Sequence, residues 1–247
     1  MSTSRIGMLV PSSNVTMETE LPAMLRARLR LFPDETFTFH SARMRMTHVS
    51  PEQLTAMNDQ VPRATAEVAD VDPDVIVSAC LVAIMAQGQG YHCTAEDEIL
   101  RAWPAGSAAQ VVTSAGALLT GLRALGATRI AMVTPYMPAL TRLVVDYIEG
   151  DGFEVVDLIS LEVVDNLDVG RLDPDALLGH ALRLDVSRAE AVVLSACVQM
   201  PSLSAVGPVE AALGLPVLTA ATATCFEVLR SLGLAPVVPD AGRLLRA

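Results

Sequence analysis

The 247 residues carry a net charge of −11 and 51% hydrophobic side chains, enough to fill one large core or two ordinary ones. They contain no block of like charge and no interleaving of basic with aromatic residues, which argues against nucleic acid or an anionic membrane as a partner. All 17 basic residues are Arg, so Schiff-base chemistry on a Lys amine and a P-loop are both excluded.

Short apolar, β-branched runs alternate with helical patterns, the signature of parallel sheets in an α/β protein. The opening MSTSRIGMLV runs straight into a strand, with no long apolar stretch or small-residue cleavage site, so a cytoplasmic location is expected. Strands are predicted at 5–10, 36–43, 75–79 and 110–113. The charge-free stretch from Ala102 to Leu122 is broken by Pro104, Gly106, Ser107 and Gln110 and does not read as a membrane span. A helix over 115–125 ends at Gly126. A second series of strands follows at 129–134, 154–161, 191–196 and 216–218. Its helices cover 138–149, closed by Gly150 or Gly152, and 223–232, closed by Gly233.

The two series are copies of one another. RIGMLVPSSN from Arg5 aligns with RIAMVTPYMP from Arg129, DVIVSACLVAIM with AVVLSACVQMPS, and QVVTSAGALLTGLRALG from Gln110 with PVLTAATATCFEVLRSLGL from Pro216. A duplicated four-strand unit follows. The expected fold is α/β with two pseudo-symmetric domains, each a four-stranded parallel sheet flanked by helices, and an active site in the cleft between them. Residues 1–115 with 220–247 would form the first domain and 116–219 the second.

Four cysteines in a chain without secretory features are no disulfide framework, and no C-x-x-C occurs. His92-Cys93 stands alone, so no metal site is expected. A lone cysteine after an apolar strand is ordinarily a small buried hydrophobe. Cys80 and Cys197, however, occupy equivalent places in the repeat, at strand carboxyl ends where open parallel sheets bind ligands. If the halves face one another, both thiols point into one cleft. Cys93 and Cys225 have no repeat partner, and Cys225 falls in a predicted core helix.

Two facing thiols suit chemistry in which one side of a carbon centre is attacked or deprotonated while the other group handles a proton. Racemases and double-bond isomerases pose that problem. None of His40, His48, His92 or His180 lies in a strand-end motif, and each reads as structural or exposed. Asn14, Tyr136 and Asn166 follow the first, fifth and sixth strands and offer neutral donors for a carboxylate. Taken singly, each would more often be a turn residue or a packing aromatic, and the case for them rests on their placement at one rim. Arg43 and Arg45 could steer an anion or simply be solvated. The methionines of ARMRMTH, with Met17 and Met24, read as core or subunit contact.

RIGMLVPSSNVTMETELP, FHSARMRMTHVSPEQLTAMN, ACLVAIM, VTSAGALLTGLRALG, VTPYM, LEVVDN, SACVQMPSL and PVLTAATAT, in this order, resemble bacterial maleate cis-trans isomerases of the Asp/Glu/hydantoin racemase superfamily. The resemblance runs from about Arg5 to Arg246. It implies that Cys80 adds to the maleate double bond and that Cys197 gives and retakes a proton. It further implies that Asn14, Tyr136 and Asn166 hold the carboxylates, aided by the backbone amides of Leu81, Val82, Val198 and Gln199. No cofactor is implied, and Gly88-Gln89-Gly90 lacks the third glycine of a dinucleotide fingerprint. The resemblance also implies a homodimer. A racemase, an arylmalonate decarboxylase working with the second cysteine alone, and a non-catalytic carboxylate binder are the alternatives.

Overall fold

A computed structural model describes residues 3–103 and 110–246; Pro104, Gly106 and Ser107 lie outside the described residues. The first half comprises β1 (Thr3–Pro11), α1 (Met17–Arg28), β2 (Thr36–Met44), α2 (Pro51–Asn58), α3 (Val61–Ala69), β3 (Val75–Ser78), α4 (Leu81–Met85), α5 (Tyr91–Ala102) and β4 (Gln110–Thr113). Then come α6 (Ser114–Ala124), β5 (Arg129–Thr134), α7 (Pro138–Gly150), β6 (Glu154–Ser160), α8 (Asn166–Val169), α9 (Ala176–Ala181), β7 (Ala191–Ser195), α10 (Leu203–Leu213), β8 (Val217–Thr219) and α11 (Ala220–Ser231). No described helix is long and apolar enough to cross a membrane.

The strands form two all-parallel sheets of identical topology, ordered β2-β1-β3-β4 and β6-β5-β7-β8. All eight predicted strands are present, with ends shifted by a residue or two. In β3 and β7 every residue is buried, as helices on both faces of a parallel sheet require. In each sheet the strand order reverses between the first and third strands of the half. Both cysteines follow the third.

The repeat extends to local chemistry. Thr113 Oγ1 accepts from Gly116 N to cap α6, and Thr219 Oγ1 accepts from Thr222 N to cap α11, each at 3.1 Å. At the other end Gly126 and Gly233 both take a φ of 69°. In each case the following N–H reaches back to the helix, Ala127 to Leu122 O at 3.1 Å and Leu234 to Leu229 O at 2.8 Å. Of the two glycines expected to close the helix at 138–149 it is the second that does so: α7 continues through Gly150, and the left-handed residue is Gly152.

Gly7 lies mid-strand in β1 beneath α3. A Cβ there would sit 2.4 Å from Val68 Cγ1 and 3.2 Å from Pro73 Cγ, so the strand's missing side chain lets the helix approach. We expect Gly7→Ala to force α3 outward and cost about 1–3 kcal/mol. A thermal melt reads this as a Tm lower by several degrees, and an unchanged Tm would contradict the packing argument.

Candidate active site

One small cavity lies where the carboxyl ends of the two sheets meet. Its walls are Pro11, Asn14, Met46, Cys80, Leu81, Val82, Tyr136, Asn166, Cys197, Val198 and Gln199. All nine residues singled out in the sequence therefore meet at one place. A larger groove, about 1660 Å³ of atom-free space, runs outside along α1 and α10 but holds neither thiol.

Each residue reaches the cavity for a local reason. Cys80 is the N-cap of α4, so the first N–H groups of that helix, at Leu81 and Val82, open onto the cavity with no helical carbonyl to take them. The second half differs. There residues 196–202 form an irregular loop before α10, and Gln199 N donates back to Cys197 Sγ at 3.4 Å.

Asn14 is fully buried. Its Oδ1 accepts from Met17 N at 3.0 Å, tying the side chain to the start of α1. Its Nδ2 has no partner among the described residues. A buried, unpaired donor is costly, and this one belongs to a residue that lines the cavity. The other two neutral donors are engaged: Tyr136 Oη donates to Ala196 O at 3.1 Å and Asn166 Nδ2 to Ser13 Oγ at 2.8 Å.

Among the described residues, no charged side chain lines the cavity. Arg43 does not face it: its Nη1 donates to Ser12 O and Asn14 O at 2.9 and 3.1 Å, and Nη2 pairs with Glu18. Its job is to hold the loop that carries Asn14. Met44, read from sequence as core or contact, is buried, and Met46 belongs to the site wall. Sequence reasoning missed Pro11 and Met46 as lining residues. The proline of PSSN ends β1, and Met46 arrives because Met44 pairs in register with Pro11 and Ser12 Oγ accepts from Met46 N at 3.1 Å.

Both thiols are 5% exposed, and burial dominates their acidity. Burial pushes Cys80 up to about 12, opposed by the Ala83 N–H and reinforced by the nearby Cys197. Cys197 is also raised by burial, but the Tyr136 hydroxyl and the N–H groups of Gln199 and Met200 all favour its thiolate. The two sulfurs are thus inequivalent: Cys197 Sγ accepts from Gln199 N at 3.4 Å, and more of its neighbours favour a thiolate than do those of Cys80. Cys225 is buried inside α11, away from the cavity, and Cys93 is exposed.

The family model described as arylmalonate decarboxylase matches residues 6–245. A maleate isomerase of Geobacillus stearothermophilus is 56% identical over 242 residues, which span 98% of this chain and 96% of that protein. The chain belongs to the maleate isomerase family. Within that family, the fold superimposes on a maleate isomerase from Pseudomonas putida S16, solved with maleate, at a TM-score of 0.96 and 48% identity, covering 99% of this chain and 98% of that one. A cysteine-to-serine variant of the Nocardia farcinica maleate cis-trans isomerase carries a covalently bound succinylcysteine intermediate. It matches at a TM-score of 0.95 and 50% identity over 99% of both chains. The fold class and the two parallel sheets expected from sequence are those of maleate isomerases.

Proposed function

We infer that this chain is a cofactor-independent maleate isomerase that converts maleate to fumarate by covalent catalysis. Two inequivalent thiols in one cavity beside an unpaired buried amide carry this reading. In the cycle, the Cys80 thiolate forms a bond to one alkene carbon while Cys197 gives its proton to the neighbouring carbon. The electron pair of the π bond becomes the new C–H bond, and the negative charge passes to the Cys197 sulfur. The former double bond is now single, so it rotates. Cys197 then retakes the proton, the C–S bond breaks, and fumarate leaves with Cys80 again a thiolate.

The asymmetry of the surroundings supports these roles, because Cys197 holds the charge throughout the lifetime of the adduct and has the Gln199 N–H on its sulfur to stabilise it. The substrate's two carboxylates would be held by Asn14 Nδ2, Tyr136, Asn166 and the N–H groups of Leu81, Val82 and Val198. The amide of Gln199 serves the thiol instead. Neutral donors and helix-start N–H groups replace the cations that the cavity lacks. Presence of Cys80 disfavours a decarboxylase that works with the second cysteine alone.

The division into residues 1–115 with 220–247, and 116–219, forms part of the proposal. It is supported by α11, which follows β8 yet packs on α1, β3 and β4, and by α6, whose Gly121 faces Leu218 of β8. A cytoplasmic homodimer completes the reading; light scattering on the purified protein tests the dimer.

Incubation of the protein with maleate, followed by NMR, tests the activity directly through the appearance of fumarate. The pH profile tests the thiolate. With Cys80 near 12 in the free protein, the thiolate fraction grows as pH rises. We expect kcat/KM to climb roughly tenfold per pH unit from neutrality upward. A profile already flat at neutral pH would overturn the view that burial keeps Cys80 protonated at rest.

A further inference from the structure

Two side chains lash the Cys197 loop of the second half to α1 of the first. Ser202, the N-cap of α10, makes no capping bond with its own side chain. Its N–H and that of Leu203 instead both donate to Glu20 Oε1, at 2.6 and 2.8 Å, across 182 and 183 positions of sequence. In the opposite direction Gln199 Oε1 accepts from Val15 N at 2.9 Å and Thr16 N at 3.4 Å, the groups just ahead of α1. Gln199 Nε2 donates to Ser13 O and Asn166 O, both at 2.9 Å, and Thr16 Oγ1 donates to Gln199 O at 2.6 Å. Each half therefore supplies the acceptor that satisfies the other half's helix entrance.

Glu20 is an expensive way to do this. The residue is 8% exposed, and its second oxygen, Oε2, has no partner. Burial raises its pKa against the opposing pull of the Ser202 and Leu203 N–H groups. A buried carboxylate is weak evidence of stabilisation, since an apolar residue of equal size often serves a core better. What Glu20 does supply is geometry. Its single oxygen defines where residues 202 and 203 sit, five positions beyond Cys197, and α1 in turn starts three residues after Asn14.

We propose that Glu20 is a positioning residue for the isomerisation: by capping α10 from α1 it sets Cys197 in register with Asn14 and Cys80. The proposal rests on Cys197 being the proton donor, and its test separates the two claims. Glu20→Leu fills the same space but orphans both N–H groups; Glu20→Gln keeps a neutral oxygen for them. We expect Glu20→Leu to lower kcat at least roughly tenfold with KM changed less than about threefold, because proton delivery suffers more than carboxylate binding. Glu20→Gln should stay within about threefold of the parent in both constants. Iodoacetamide labelling, read by mass spectrometry at each cysteine, should change severalfold at Cys197 and stay constant at Cys80 in Glu20→Leu. Should that variant not fold, Glu20→Asp, one methylene short, gives the same pattern at smaller size. Unchanged kcat and unchanged Cys197 labelling in Glu20→Leu or Glu20→Asp would overturn the proposal, as would Glu20→Gln failing as badly as Glu20→Leu. If the parent itself makes no fumarate, the isomerase reading falls, while the labelling ratio still decides whether Glu20 places Cys197.

Discussion

Fumarate formation from maleate falls by at least roughly a thousandfold in Cys80→Ala and in Cys197→Ala alike, because the two thiols act as a unit within one cycle. The double variant is expected to be no slower than either single one. The two lesions differ in what they leave behind. Without Cys80 no covalent species forms. Without Cys197 the Cys80 thiolate can still add, the carbon taking its proton slowly from water, but nothing remains to remove that proton again. Intact-protein mass spectrometry should then find Cys197→Ala, but not Cys80→Ala, heavier by one maleic acid, with the adduct mapped to Cys80. Both cysteines are small, buried side chains at loop starts, so removing one sulfur leaves the sheets intact. Turnover surviving in either variant would reject the two-thiol cycle. An adduct on Cys197 in place of Cys80 would reverse the assignment of roles.

Asn14→Asp should be nearly as damaging, for an electrostatic reason. The substitution preserves shape and preserves the acceptor for Met17 N, so α1 keeps its start. It exchanges the unpaired Nδ2 donor for a second carboxylate oxygen, in a cavity without a single cation. Two like charges about 4 Å apart repel by about 4 kcal/mol at an effective dielectric of 20, which is close to a thousandfold in binding. The expected outcome is a kcat/KM lower by roughly that factor, carried mainly by KM, in a protein whose melting curve is little changed. Lowering the pH to protonate the new carboxyl should recover part of the loss. An Asn14→Asp enzyme with the parent's KM would show that Asn14 holds no carboxylate. Asn14→Leu offers a control in which no charge is introduced, although Met17 N loses its acceptor as well, and its defect in KM should be the smaller of the two.

Much of the site was legible before any coordinates. Cys80 and Cys197 stand at the same point of a repeat, and the strand run before each is apolar throughout, so both had to emerge at a sheet's carboxyl edge. PSSN and TPY follow the strands that pair with those of the cysteines, and VDN comes shortly after the sixth strand, which is why Asn14, Tyr136 and Asn166 fell on the same rim. Other parts were hidden for definable reasons. Met46 looks like any core methionine, and only the pairing of Met44 with Pro11 brings its loop over the cavity. Arg43 looks like an anion guide, yet hydrogen bonds to Ser12 and Asn14 turn it toward the loop backbone. Glu20 looks like a solvated first-turn carboxylate of α1, and nothing near it in sequence signals the N–H groups of Ser202 and Leu203.

The sequence by itself determined the elements, the duplication and the identity of the residues at each strand end. Those follow from hydrophobic period, glycine and threonine at helix ends, and alignment of one half with the other, all of which act over a few neighbouring residues. Only the tertiary structure decided that the two rims close on one cavity, that Asn14 is left with a free donor, and that Cys197 has more partners than Cys80. Those depend on how one sheet is set against the other, and that setting comes from contacts such as Gln199 with Val15 and Glu20 with Ser202. Their members lie more than 180 positions apart and have no local pattern to announce them.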